Sequence, residues 1–250
     1  MVGAAMIRVV GLRKRFGRKP ALDDVNVEIP PGVLWGLVGP GASGKTVLIK
    51  HVAGLLTPDR GRVEIDGRNI SAMGEVDRQR VRRRFGMLFQ QNALFDSLTV
   101  AENVAFPLRR LTSLDEREIA ERVAERLARV GLAEFADRYP NVLSGGQRKR
   151  VGIARATVSR SEYVIFDEPT AGLDPVTSQK IFDLLRAEQR ATGSTALMIS
   201  SDVAGLMTVV DRVGFLLRGR LVFEGTREEA LASRDPYVRQ FLRGETEGPL

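Results

Sequence analysis

The segment Gly39-Pro40-Gly41-Ala42-Ser43-Gly44-Lys45-Thr46 meets the phosphate-loop pattern at every defined position. Glycines at 39, 41 and 44 let backbone N–H groups close around an anion, and a helix starting there turns its positive end toward it. In such a loop Lys45 reaches the β- and γ-phosphates of a nucleoside triphosphate, and the Thr46 hydroxyl ligates Mg2+. A second set, Tyr163-Val-Ile-Phe-Asp167-Glu168, ends an apolar run in two carboxylates. Alone it reads as the polar end of a strand. With the loop upstream, Asp167 is expected to hold magnesium through water and Glu168 to polarise the attacking water. A third set, Leu143-Ser144-Gly145-Gly146-Gln147, supplies an N-cap serine and glycine N–H groups open to an anion, which is more than a helix start requires.

These groups need a rigid frame, and the surrounding pattern supplies one. Val33 to Val38 is a continuous apolar run, as for a strand buried on both faces, and it ends at Gly39. Thr46 to Ala53 reads as a helix stopped by Gly54 and followed by Pro58. Val25 to Ile29 alternates as a half-buried strand does, Pro30-Pro31-Gly32 turns the chain, and Arg62 to Asp66 is a strand ending in a turn at Gly67. Phe85 to Phe89 returns to the core. From Asn92 to about Arg160 the character is helical, with Ile119, Val123, Leu127 and Val130 on one stripe between Leu114-Asp115 and Gly131. Tyr163–Phe166, Thr195–Ile199, Val213–Leu217 and Arg220–Glu224 read as strands, and a helical tail from Arg227 ends in a loose Gly244–Leu250. The sum is an α/β core interrupted by a helical insertion.

A length of 250 residues suits one large α/β domain with an inserted subdomain. With 43% hydrophobic and 28% charged residues, disorder is excluded. No apolar run approaches the roughly 18–20 residues that span a bilayer; Val47 to Leu56 already contains Lys50 and His51. Met1 to Met6 is too short and too uncharged for a signal peptide, so the protein is expected to stay on the side where it is made. The absence of cysteine rules out disulfides and thiolate chemistry. The formal charge of +7 gathers at 13–15, 82–84 and 148–150. No aromatic residues interleave these clusters, so they read as solvated faces and no nucleic-acid partner is expected. His51 and Trp35 read as packing residues.

With Ser144–Gln147 between the phosphate loop and Asp167-Glu168, the chain resembles the ATP-binding cassette (ABC) family from about Met6 to Gly225. The resemblance implies an α/β fold: a P-loop NTPase core of the ABC nucleotide-binding type with an N-terminal antiparallel β portion and an inserted α-helical subdomain. It implies a core of residues 1–91 and 161–225, a helical signature subdomain of 92–160 and a tail of 226–250. ATP and Mg2+ are the implied cofactors and a second copy of the chain the implied partner, since the family's signature loop closes over ATP held by the other subunit. By position, Phe16 stacks on adenine, residues Gly39 to Val47 surround the phosphates, and Gln90 senses magnesium and the membrane partner. Ser144, Gly145, Gly146 and Gln147 reach the partner's ATP, and Asp174 in Ala171-Gly-Leu-Asp-Pro175 communicates across the dimer. Thr46, Gln90 and Asp167 serve the metal; Glu168, Lys45, Gln90 and Ser201 serve catalysis. Two positions depart from the family. Val47 replaces a hydroxyl residue, and Ser201, in Ser200-Ser201-Asp202, replaces a histidine that contacts the γ-phosphate.

The stretch Met87 to Leu108 and the tail Asp235-Pro-Tyr-Val-Arg-Gln-Phe-Leu-Arg-Gly244 with Glu247-Gly-Pro are similar to the ATPases of Mla/Mce-type phospholipid transporters. That resemblance implies a transmembrane permease, a periplasmic lipid carrier, a place on the cytoplasmic face of the inner membrane, and a small regulatory subunit at the tail. Tyr237, Phe241 and Leu242 share an apolar face that has no evident place in a finished core. Other readings are another importer, lipoprotein release, or a nucleotide-binding scaffold of low activity, the last because of Ser201. Soluble cassettes of DNA repair and translation usually carry two cassettes or a long coiled-coil insertion, and neither is present.

Overall fold

The computed structural model describes residues 6–250; the Met1–Met6 expectation, Met6 apart, lies outside the described residues. A four-stranded antiparallel sheet forms from β1 (Ile7–Phe16), β2 (Lys19–Ile29), β4 (Arg60–Ile65) and β5 (Arg68–Asn69), in the order β2-β1-β4-β5. A six-stranded sheet forms from β3 (Leu34–Val38), β6 (Phe85–Leu88), β7 (Tyr163–Asp167), β8 (Thr195–Ile199), β9 (Arg212–Leu217) and β10 (Arg220–Thr226). Its order is β10-β9-β3-β8-β7-β6, parallel from β9 to β6 with β10 antiparallel at one edge.

Side chains alternate across a strand, so a strand apolar at every position feeds two cores. On one face of the six-stranded sheet Trp35, Leu37, Tyr163, Ile165, Leu197 and Ile199 pack with the antiparallel sheet and with α1 (Lys45–Val52). On the other face Leu34, Val38, Val164, Phe166, Ala196 and Met198 meet the helices. These are α3 (Val100–Leu111), α4 (Glu116–Arg129), α5 (Gly145–Thr157), α6 (Pro175–Thr192) and α7 (Val203–Val209). The helical insertion therefore shares the core of the sheet instead of building its own. A buried ion pair, Arg126 to Glu188, joins α4 to α6. The Ile119, Val123 and Leu127 stripe is buried, and Asp115 caps α4 through a capping box with Glu118. Trp35 and His51 are core residues; the His51 Nδ1 lies 2.8 Å from the Val47 carbonyl, and burial pushes the imidazole pKa down. No helix of the described residues is long and apolar enough to cross a membrane.

Several elements escape the sequence reading. β1 and the start of β2 form a hairpin across Gly17 that is much longer than Val25–Ile29. The short, highly charged helix α2 (Glu75–Arg82) and the 18-residue α6 are helices that periodicity did not announce. For α6 a signal was present, since Asp174 accepts from the Thr177 N–H as N-cap and Pro175 sits in the first turn.

The tail corrects two expectations. It forms α8 (Arg227–Leu231) and α9 (Pro236–Arg243), and Val238 is only 1% exposed. Tyr237, Phe241 and Leu242 lie against the main core, with the Phe241 ring 5.1 Å from that of Phe215. The apolar face taken for a docking surface is thus an internal contact. Nor is the end loose: Gln240 accepts from the Glu245 and Leu250 N–H groups through its carbonyl and its side-chain oxygen. Phe241→Ala should therefore lower unfolding free energy by about 2–3 kcal/mol, below the roughly 3–5 of a fully buried Phe. Denaturant titration checks this, and an unchanged midpoint would return the tail to a role outside the fold.

Candidate nucleotide site

The loop from β3 into α1 is shaped by close backbone approach. At Gly39 (φ +147°) an added Cβ would lie 2.1 Å from the Leu216 carbonyl oxygen, and at Gly44 (φ +107°) 2.4 Å from that of Ala21. Only glycine allows these contacts. Gly41 meets nothing within 4 Å, and Ala42 takes a left-handed φ of 58°. Lys45 lies along its own loop, its Nζ donating to the Gly39 carbonyl at 2.7 Å and that of Pro40 at 2.9 Å. Burial pulls the Lys45 pKa down, opposed by the charges of Glu168 and Asp167. The Val47 side chain packs on the apolar cluster beneath the loop, so a phosphate can meet only its backbone. Thr46 is exposed at the helix start.

Asp167 and Glu168 end β7, and their neighbours differ. Asp167 is buried, its Oδ1 has no hydrogen-bond partner among the described residues, and burial followed by the Glu168 charge pushes its pKa up. Lys50, Lys149 and Lys45 oppose that shift. Glu168 has left-handed backbone, φ 51°, held by its N–H to the Ile199 carbonyl at 2.9 Å; such a non-glycine conformation is strained and persists where surroundings enforce it. Ser201 supplies two donors to Glu168 Oε2, its N–H at 2.8 Å and its hydroxyl at 2.9 Å. The serine at the departed position thus touches the carboxylate. Gln90 lies exposed on the loop after β6. Sequence reasoning missed what holds that loop: buried Lys149 in α5 donates to the carbonyls of Gln90 at 2.8 Å and Glu168 at 3.1 Å. The only signal available was its spacing, two residues after the signature loop.

The signature residues assemble at the start of α5. Ser144 Oγ accepts from the Gln147 N–H, and Gln147 Oε1 accepts from the Ser144 N–H. The Gln147 carboxamide oxygen is therefore engaged in capping its own helix. Gly145 and Gly146 lie against the start of α6, where a Cβ on Gly146 would come 3.2 Å from Thr177 Cγ2 and one on Gly145 3.7 Å from Leu173 Cδ2. Asp174 caps the same helix and stays exposed. No hydrogen bond joins Ser144–Gln147 to residues 39–47 among the described residues. Phe16, 52% exposed, presents its ring at the tip of the antiparallel sheet with Lys14 Nζ 5.7 Å from its centroid.

Two buried polar atoms without partners, Ser43 Oγ and Asp167 Oδ1, stand beside a lysine whose nearest acceptors are its own loop carbonyls. That donor and acceptor set fits a Mg2+-bound triphosphate, and it leaves polar groups to be satisfied if none binds. A different cleft of about 500 Å3, lined by Asp183, Arg190 and Thr208, has its Arg186 already paired with Asp211.

Fold and site together define a phosphate-loop nucleoside triphosphatase. More narrowly, the profile of the ABC transporter family matches residues 22–171, and the chain belongs to that family. It is 41% identical over 244 residues to the probable ribonucleotide transport ATP-binding protein mkl of Mycobacterium leprae, spanning 98% of this chain and 70% of that one. It is 36% identical over 245 residues to the intermembrane phospholipid transport system ATP-binding protein MlaF of Haemophilus influenzae, spanning 98% and 93%. The dimeric post-hydrolysis structure of the ATP-binding cassette MJ0796, bound to ADP and Pi, matches with a TM-score of 0.82 at 30% identity, over 88% of this chain and 98% of that one. The chain is a transport-coupled ATPase that uses ATP with Mg2+.

Gly44→Ala should reduce ATP affinity by about 100-fold or more, since the loop must deform away from the Ala21 carbonyl. Lys45→Ala should do the same by removing the half-buried cation. Calorimetry on folded protein reads both, and unchanged affinity in either would overturn the assignment of the loop.

Proposed function

We propose that two copies of this chain close on two ATP molecules and drive a transmembrane permease that moves phospholipid at the inner membrane. The observation that carries the catalytic part is the carboxyl end of β7, where buried Asp167, Glu168 on its two Ser201 donors, the half-buried cation Lys45 and the buried cation Lys149 converge. In this reading the loop Gly39–Val47 cradles the phosphates, Phe16 stacks on adenine, and Thr46, Gln90 and Asp167 hold the metal. Mg2+, when bound, neutralises charge on the phosphates. Glu168 orients the attacking water and takes up its proton, and Ser201 keeps the acceptor oxygen fixed while that happens. Ser144, Gly145, Gly146 and Gln147 meet the partner copy's ATP, with Asp174 beside them. The working parts are then the core of 1–91 and 161–225, the signature part of 92–160 and the tail of 226–250.

The permease has a candidate seat. The loop after β6 borders an apolar cleft of about 350 Å3, lined by Met87, Phe89, Phe95, Phe106, Pro107 and Leu111. Phe89, Phe95 and Leu111 are 40%, 42% and 39% exposed. Fully buried Asn103 fixes this edge by binding the backbone of Phe95, Leu98 and Thr99. A short helix from a membrane subunit suits such a cleft, with Gln90 on the same loop joining it to the metal. Support for phospholipid as cargo is the likeness of residues 87–108 and 235–249 to Mla/Mce-type ATPases and the near full-length match to MlaF. A periplasmic carrier and a small regulatory subunit belong to that same reading, the latter on a surface other than the buried tail face.

In the assembled complex Glu168→Gln should abolish turnover with ATP binding kept, and Ser201→Ala, which retains the N–H donor, should lower kcat only a few-fold, less than the roughly 1.5–3 kcal/mol of one hydrogen bond to a charged group. Single-turnover hydrolysis reads both, and a Glu168→Gln enzyme at wild-type rate would sink the assignment of the base. Phe89→Asp with Phe95→Asp should prevent co-purification with the permease; retained co-purification would count against this cleft as its seat. Transfer of labelled phospholipid between vesicles by the purified complex, dependent on ATP, tests the cargo.

A further inference from the structure

Lys149 is a lysine buried to 5% exposure with no carboxylate in hydrogen-bond contact. A buried cation is costly unless its donors are used and charge of opposite sign lies near. Here two of the three ammonium donors go to backbone carbonyls, those of Gln90 and Glu168. Those carbonyls belong to separate elements, the loop after β6 and the left-handed turn after β7. Farther along the same helix, Arg155 donates to the carbonyls of Asn92 at 2.6 Å and Ala93 at 2.7 Å, and its guanidinium lies 5.9 Å from the Phe95 ring. Asn92 and Ala93 both take left-handed backbone, with φ of 60° and 49°. α5 therefore grips the cleft loop at three carbonyls and the base-bearing turn at one, and it does so from the helix that Ser144 begins.

We propose that Lys149 is a positioning residue that ties the loop bordering the apolar cleft to the backbone of Glu168, so that a shift of the loop reaches the base. This rests on the reading of Glu168 as the base. Nothing in the signature loop or the phosphate loop itself requires a cation at 149. The bridge explains why one is kept there in the dry interior. It also predicts a kinetic effect separate from ATP binding, because Lys149 touches only the backbone of Gln90 and Glu168 and no residue of the phosphate loop.

The test uses the assembled permease complex with Lys149→Met, which keeps the stem and removes the donors, and Lys149→Gln, which restores N–H donors without charge. Lys149→Met should lower kcat by roughly 10- to 100-fold, the scale of a small misplacement of a reacting group, with KM for ATP changed less than about threefold. Lys149→Gln should recover most of the lost kcat. A Lys149→Met complex at wild-type kcat, or one whose loss lies in KM alone, would overturn the proposal. So would a Gln variant no better than Met. Should the Met variant fail to fold, the wild-type chain carrying 15N-lysine decides: an ammonium held by two carbonyls gives a protected Nζ–H signal that Lys149→Gln removes, and its absence overturns the bridge. Glu168→Gln runs beside these as a control. If that variant turns over normally the reading of the base has failed; if it is dead while Lys149→Met is normal, only the bridge has failed.

Discussion

Two carboxylates at the end of a strand buried on both faces are the constraint on which the rest of this molecule depends. Asp167 is 8% exposed, and one of its oxygens has no partner among the described residues. A carboxylate so placed stays charged only if cations reach it, and those cations must leave water to do so. Lys45 and Lys149 both do, each pulled down in pKa by burial and held up by the charges of Glu168 and Asp167. The site is thus a balance of groups that are each unfavourable alone. In the proposed reading a magnesium-bound triphosphate would complete that balance, adding anionic oxygens for Lys45 and a cation for Asp167.

Geometry follows from that demand. For Lys149 to reach both β6 and β7, α5 must lie unusually close to the sheet. A Cβ on Gly86 in β6 would come 1.9 Å from the Ala156 carbonyl, and one on Gly152 in α5 would come 2.6 Å from Leu88 Cδ1. The two glycines face opposite ways across one interface, and each removes the side chain that would hold helix and strand apart. Glycine in a helix or strand interior costs about 0.5–1 kcal/mol relative to alanine, and here the close approach offsets it. On the other side of the sheet Gly39 and Gly44 do the same for the phosphate loop, against the backbone of β9 and β2. Four glycines, two at the helix–strand interface and two in the phosphate loop, therefore serve one compact cluster of charge.

How much of this was legible in the chain depended on whether a residue's partner was local. The phosphate loop, Asp167-Glu168 and the Ser144 cap are continuous segments whose chemistry is carried by spacing alone, and the structure assembles each locally as that spacing implies. Thr195–Ile199 was readable to the residue because a strand buried on both faces is apolar throughout. The long α6 was not, because its first turn is polar and follows Ala171–Asp174, where the family resemblance points to the dimer and not to a helix, although Asp174-Pro175 is an ordinary helix start. The tail failed for a different reason. Tyr237 and Phe241 mark an apolar face correctly, but periodicity cannot say what covers it, and Phe215 lies 26 residues earlier in the chain. Lys149 failed in the same way, since its partners at 90 and 168 are distant and are backbone atoms.

Ser201 shows where motif comparison and geometry part. By position it stands for a histidine, and the comparison predicts a lost contact to phosphate. In the fold its hydroxyl and N–H converge on one oxygen of Glu168, leaving the other oxygen of that carboxylate open. Two donors on one oxygen fix the rotation of a carboxylate better than one. A histidine at this position would keep the backbone N–H donor and lose the hydroxyl that shares the same oxygen. In the proposed reading the replacement of histidine by serine is a change in how the base is held, and the phosphate charge is left to Lys45, to magnesium and to the partner's signature loop. A site built this way keeps the base oriented before nucleotide arrives, and the cost of that order falls on the strained backbone at Glu168, which Ile199 and Lys149 hold from either side.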